Sequence, residues 1–494
     1  MTAGGWLLVL AIAAPSLAAL LAVGLGGRWP ERLALLAAPI GLAIALAVTA
    51  AVLWAGDAVT YLLGGWAPPL GIALRADGLA AAMLLTTAVV VSAVTLFARD
   101  EFRTPPDGSE ARAPTTFWTL LLALWSALNL VFVADDLFSL FVALELLTFA
   151  AVPMVCLDGR PETVAAALRY LLFALLGSML YLLGTGLLYG AHGTLDIVLL
   201  SASLRPSPAV LIAGSLMTVG LIAKAALFPL HLWLPPAHAG APAPASAVLS
   251  ALVVKAPVFL IVRLWFDVMP GVPGFAAGQI LGALGAAAIL FGGVLALRQE
   301  RLKLLVAYST VAQIGYLFIL FPLVQLGSPD AWTGGIMQLV SHAIAKAAMF
   351  LAAGLIAQRL GHDRIGELGG IARALPMTTL AFGLAGLSLM GLPPSGGFIA
   401  KWLLLLTSIQ TGQWWWSLPM LLGGLLTGAY LLRVLAPSLA GGAAVTPPVA
   451  PVARRREALV LTLAAASIAL GLVPLASLNL MQIGRLALPV IAGP

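Results

Sequence analysis

The chain has 494 residues, 62% of them hydrophobic and 9% charged, and its mean hydropathy is +1.07. These values exclude an ordinary soluble domain and indicate a polytopic membrane protein. A single cysteine, Cys156, excludes a disulfide framework, a thiolate zinc site and a cysteine-ligated iron–sulfur cluster. The chain contains no Walker loop, no GxGxxG after a strand and no HExxH, so no bound cofactor and no protein-held metal is expected.

Windows of about 20 apolar residues predict an all-α protein of fourteen membrane-spanning helices, near 6–26, 32–54, 77–97, 115–133, 136–156, 168–190, 209–234, 244–266, 275–297, 304–324, 333–357, 376–410, 415–437 and 458–480. The first run lacks the basic flank of a signal peptide and reads as a retained helix. Between the second and third spans, TYLLGGWAPPLGIALRAD alternates with turn residues at its centre, which predicts a small hairpin.

The fifth span, DLFSLFVALELLTFAAVPM, carries Glu145, the one acidic residue in the middle of a predicted span. Such a carboxyl is either kept neutral by a neighbouring helix or paired with a buried cation. The seventh and eighth spans supply the cations: Lys224 and Lys255 each lie in a long apolar run, with His231, His238 and five prolines between them. An ammonium at bilayer depth costs about 2.5–3.5 kcal/mol on insertion scales, so it faces a bundle interior or a water cavity. Pro229, five residues beyond Lys224, predicts a helix broken just past the lysine.

In the eleventh span, QLVSHAIAKAAMFLAAG puts His342 and Lys346 on one helix face. A lone buried histidine is commonly a satisfied core residue, but a lysine one turn away favours a proton relay. The twelfth span is interrupted at Gly391-Leu392-Pro393-Pro394, with Lys401 seven residues after Pro394. A lysine beside a broken helix thus occurs in spans four to eight and again in spans nine to thirteen. Five is an odd number, so two such units would have inverted topology. The expected organisation is helices one to three in 1–114, a first repeat in 115–270, a second in 271–440 and a last helix in 441–494.

Basic residues sort by side. Loops and span ends after odd-numbered spans hold seventeen, those on the opposite side hold four (Arg75, Arg205, Arg263 and Arg485), and the remaining four are the lysines within spans. By the positive-inside rule both termini lie outside the cytoplasm, and the pI near 9.7 reflects loop arginines and not a nucleic-acid patch. Lysine can release its proton when buried and arginine effectively cannot, so lysines in the spans favour proton handling.

The motifs LELLTF, AKAALFPLHLWLPPAHAGAPAPASAVLSALVVK, LRQERLKLLVAYSTVAQIGYL, SHAIAKAAMFLAAG and LPPSGGFIAKW resemble the antiporter-like proton-channel subunits shared by respiratory complex I, Mrp-type sodium/proton antiporters and group 4 membrane-bound hydrogenases. The resemblance covers roughly the second to the thirteenth span. It implies fourteen helices with the seventh and twelfth broken, and two inverted five-helix repeats. It also implies a proton row of Glu145, Lys224, Lys255, Lys346 and Lys401, with His342 beside Lys346, and a proton entry at His231 and His238. Lys401 departs from the glutamate usual in the M-type complex I subunit, so the chain is most similar to the D-type subunit of Mrp antiporters. A membrane-arm subunit of a quinone oxidoreductase or hydrogenase is the alternative. The implied partners are other membrane subunits of such an assembly, protons, sodium as a candidate coupling ion, and the lipid of the cell's inner (plasma) membrane. No member of the family holds a redox centre of its own, so any oxidoreductase activity would belong to the assembly.

Overall fold

The computed structural model describes Thr2 and residues 4–104, 112–440 and 451–485. The chain opens with helices α1 (Trp6–Leu25) and α2 (Trp29–Ala55). The expected hairpin follows, as antiparallel strands β1 (Val59–Leu62) and β2 (Ala73–Ala76) with Val59 opposite Ala76. Next come α3 (Gly78–Ala98), α4 (Arg112–Val133), α5 (Leu137–Val155), α6 (Pro161–His192), the short α7 (Ile197–Ser203) and α8 (Pro208–Ala225). Aspartates start three of them. Asp77, Asp136 and Asp196 accept the N–H of Ala80, Ser139 and Leu199 at 2.8–2.9 Å, capping α3, α5 and α7.

The backbone beyond α8 is not helical again until α9 (Leu234–Gly240), and Pro229 lies in the gap. From α10 (Ala243–Val248) the chain passes through a π-helical stretch, Leu249–Val253, into α11 (Lys255–Arg263) and ends in a second, Leu264–Val268. This run is buried along its whole length. The remaining helices are α12 (Phe275–Arg298), α13 (Leu302–Val324), α14 (Pro329–Leu360), α15 (Ile371–Ala374), α16 (Pro376–Met390), α17 (Gly396–Gln410), α18 (Ser417–Leu439) and α19 (Arg454–Ala469). Twelve helical runs among the described residues are long and apolar enough to cross a bilayer. The interrupted α16–α17 pair covers a thirteenth predicted segment, and α19 overlaps the first half of the fourteenth, 458–480. Met1 and residues 486–494, the terminal residues of the predicted topology, and 441–450 of the loop preceding α19 lie outside the described residues.

The contacts divide the chain into two units, Met1–Ala225 with Leu252–Gly278 and Ala476–Pro494, and Ala226–Ala251 with Gln279–Leu475. In the first, α5 packs between α4 and α6, α6 lies along α8, and α11 packs on α8 and α4. The outer face of α6 leaves Leu168, Leu172, Leu176, Met179, Leu183 and Leu187 exposed at helical spacing, an apolar stripe suited to lipid. In the second unit α14 is central, packed by α10, α13, α16, α17 and α19. Its 32 residues span about 48 Å at 1.5 Å per residue, longer than the hydrocarbon core of a bilayer.

Candidate functional site

In the first unit α6 and α8 cross closely because both are glycine at the crossing. A Cβ on Gly177 would meet the Gly220 carbonyl oxygen at 2.5 Å, and one on Gly220 would meet the Gly177 oxygen at 2.3 Å. Small residues of this kind let helix backbones approach within a membrane. The approach brings the last turn of α8 beside α5 and α6. There the Lys224 ammonium donates to Glu145 Oε1 at 3.3 Å and to Thr148 Oγ1 at 2.9 Å. The Ser178 hydroxyl donates to the same Glu145 oxygen. Lys224 is buried, and the Glu145 side chain is 16% exposed. The cation sits at the negative end of the α8 dipole, next to the unwound segment that starts at Ala226.

Lys255, the first residue of α11, has no exposed surface and directly follows the π-helical stretch and Val254. Such stretches recur at functional positions in helices. In the second unit, His231 and His238 are both buried. His231 packs on the rings of Phe228 and Phe291 with centroids 5.6 and 5.3 Å away, and His238 stacks on Phe350 at 4.6 Å.

The rest of the second unit holds a polar string through apolar helices. Lys346 has no exposed surface, and its ammonium donates to the Val306 carbonyl at 3.0 Å and to the Ser309 hydroxyl. Four residues along α13, Gln313 accepts from the Gln338 amide at 3.1 Å and donates to the Leu389 carbonyl at 3.0 Å. Lys401 donates to that same carbonyl at 2.6 Å and to the Met390 carbonyl at 3.4 Å, and its Nζ lies 3.9 Å from the centroid of the Tyr316 ring. Gln338, His342 and Lys346 lie at four-residue intervals on one face of α14, all buried.

Lys401 is placed by the broken helix. The last carbonyls of α16 lack helical partners. Leu387 and Ser388 are met by the N–H groups of Gly391 and Leu392, while Leu389 and Met390 are met by Lys401 with help from Gln313. Gly391 makes the turn at φ +87°, and a Cβ there would meet the Lys401 chain at 2.8 Å. Ser395 restarts the chain as α17 by accepting the Phe398 N–H at 3.1 Å.

Thus Glu145 and Lys224 form an ion pair, Lys346 reaches α13 at Val306 and Ser309, and Lys401 shares the Leu389 carbonyl with Gln313. Sequence reasoning did not single out Thr148, Ser178, Ser309, Gln313, Gln338 or Tyr316. Two of them carried a signal, since Gln313 and Gln338 are amides inside spans. Arg263, expected at a span end on one side, is buried in the last turn of α11 and bonded to Asp77 and Asp267. The span prediction ended at residue 266, two residues short of the helical run.

Ion pairs and lysines held inside apolar helices, two of the lysines at helix breaks, define an ion-handling polytopic membrane protein. The chain belongs to the family described as NADH:quinone oxidoreductase/Mrp antiporter, transmembrane, whose profile matches residues 134–427. It is an antiporter-like membrane subunit. It is 35% identical over 449 residues to the N-type subunit of the NADH-quinone oxidoreductase of Desulforudis audaxviator, covering 89% of this chain and 88% of that one. It is 29% identical over 378 residues to the D-type subunit of the Na(+)/H(+) antiporter of Bacillus subtilis, covering 76% and 75%. A chain of the Mrp complex from a Dietzia species superposes with a TM-score of 0.87 at 26% identity, covering 97% of this chain and 96% of that one.

Proposed function

We propose that this subunit moves protons through a buried row of Glu145, Lys224, Lys255, His342, Lys346 and Lys401, with entry near His231 and His238, and that its assembly is an Mrp-type cation/proton antiporter in which it has the D-type place. The observation that carries this reading is the Glu145–Lys224 contact of 3.3 Å inside packed apolar helices. A buried ion pair adds little to stability compared with apolar side chains of like volume, so its presence favours a working role. Separating the pair changes the electrostatic environment of both groups and is a step that can push a proton onward.

Hydroxyls and amides between the charged groups, Ser309 and Gln313 in particular, support water-assisted transfer in the second unit. Arginine would not serve in the row, because it keeps its proton at any accessible pH. We infer further that 115–270 and 271–440 are inverted repeats, each with one interrupted helix, and that the protein lies in the inner (plasma) membrane with both termini outside the cytoplasm. The seventeen-to-four division of basic residues supports that orientation. The partners are other membrane subunits, the lipid bilayer and protons, with sodium as a candidate coupling ion.

A second reading, the membrane arm of a redox-driven complex, is favoured by the 35% identity to a quinone-oxidoreductase subunit. The complex purified with its native partners and placed in proteoliposomes separates the two. Proton movement driven by a sodium gradient supports the antiporter, proton movement only during quinone reduction supports the redox complex, and absence of proton movement under both conditions removes the proton-carrying role.

A further inference from the structure

At the hairpin end of the first unit, several helix ends and links bring together more acidic than basic side chains in a buried setting. Asp77 starts α3, Asp135 lies in the link from α4 to α5, Asp196 starts α7 and Asp267 lies in the last π-helical stretch, and all four are buried. The Asp135 backbone is fixed on both sides: its N–H donates to the Ala73 carbonyl of β2 at 3.2 Å, and its carbonyl accepts from Ile197 at 3.0 Å.

The two neighbouring arginines are committed elsewhere. Arg263 donates to both oxygens of Asp77 at 2.5 and 2.6 Å and to Asp267 at 2.6 Å. Arg75 donates to the Gly484 carbonyl at 2.6 Å. Asp196 has the Leu199 N–H as partner. The Asp135 side chain, in a residue 5% exposed, has no hydrogen bond or ion pair of its own among the described residues. A carboxylate in such a place is costly, and a carboxylic acid costs much less.

We propose that Asp135 is a proton-binding site, a carboxyl that takes up and releases a proton between the interior of the first unit and the water at the hairpin end. This rests on the proton-carrying reading above and adds a terminal group that the row does not contain. The groups that face it are Arg75 on β2, Asp196 at the start of α7, and Arg263 and Asp267 on the helical run of α11. Burial pushes the Asp135 carboxyl up to about 7; Arg75 and Arg263 oppose the rise, and Asp196 and Asp267 add to it. For Asp77 burial also raises the carboxyl, but Arg263 outweighs it and holds the group below its ordinary value. One carboxyl of the cluster therefore remains ionised while its neighbour exchanges a proton near neutral pH. On the orientation inferred above, this end meets the outer aqueous phase.

The test uses the whole complex in proteoliposomes, with Asp135→Asn and Asp135→Glu. The main-chain hydrogen bonds of residue 135 survive either change, so assembly is expected at normal levels. In infrared difference spectra, the wild type is expected to gain a protonated-carboxyl band as pH falls through about 7 and Asp135→Asn to lack it. Proton transport at pH 7 is expected to fall at least about tenfold in Asp135→Asn, and its dependence on pH at the hairpin side to lose the midpoint near 7, with Asp135→Glu keeping both. If Asp135→Asn retains the band, or loses the band but keeps the wild-type rate and pH profile, the proposal is overturned. A wild-type complex that titrates the band but moves no protons overturns the proton-carrying reading and this role with it, so the two failures can be told apart.

Discussion

The Lys401 ammonium sits 2.6 Å from the Leu389 carbonyl oxygen, twelve residues back along the chain and across the break between α16 and α17. One contact serves two purposes. It satisfies a carbonyl that the interrupted helix leaves bare, and it holds the ammonium beside Gln313, which bonds to the same oxygen. Capping needs only a donor, whereas proton transfer needs a group that can lose its proton. Lys401→Arg separates the two, because arginine donates but does not deprotonate. The variant is expected to assemble at wild-type levels and to lose at least about tenfold in proton transport. Near-normal transport at matched protein levels would leave Lys401 a cap.

Gln313 joins Gln338 to Leu389, and both side chains are fully enclosed. Gln313→Ala removes two hydrogen bonds and strands the Gln338 amide. An orphaned buried polar group costs about 1–3 kcal/mol. A lower thermal-unfolding midpoint in detergent is expected, whereas an unchanged midpoint would mean that another group takes over the amide.

The helix breaks were legible in the sequence because proline acts locally: Pro229 and the pair Pro393-Pro394 mark the interruptions beside Lys224 and Lys401. Glu145 and the four span lysines were legible because a charge in an apolar run is conspicuous. Ser178, Thr148 and Ser309 were not, since a hydroxyl in an apolar helix ordinarily bonds to its own backbone, as Ser178 also does to Ala174. The Arg263 cluster was hidden by distance along the chain. Its partner Asp77 is 186 residues away, and a span end by itself gives no sign that its arginine is buried.

Orientation is tested by labelling intact cells with a membrane-impermeant thiol reagent, in a Cys156→Ser background. Ser203, just before the α7–α8 link, and Ala440, at the end of α18, are both exposed. Ser203→Cys is expected to label rapidly and Ala440→Cys only after permeabilisation. The reverse pattern would invert the topology and put the hairpin end on the cytoplasmic side.

The most direct measurement of the central claim is a double-mutant cycle on Glu145 and Lys224, read as proton transport by the whole complex in proteoliposomes. On the proposed reading, the 3.3 Å contact, with Thr148 and Ser178 completing it, makes the two charges one working unit. Each single alanine variant is expected to lose at least about tenfold in transport, and the double variant to lose little more than either alone, since residues that act together are strongly non-additive. Losses that multiply in the double variant would mean two independent buried groups and would contradict the account.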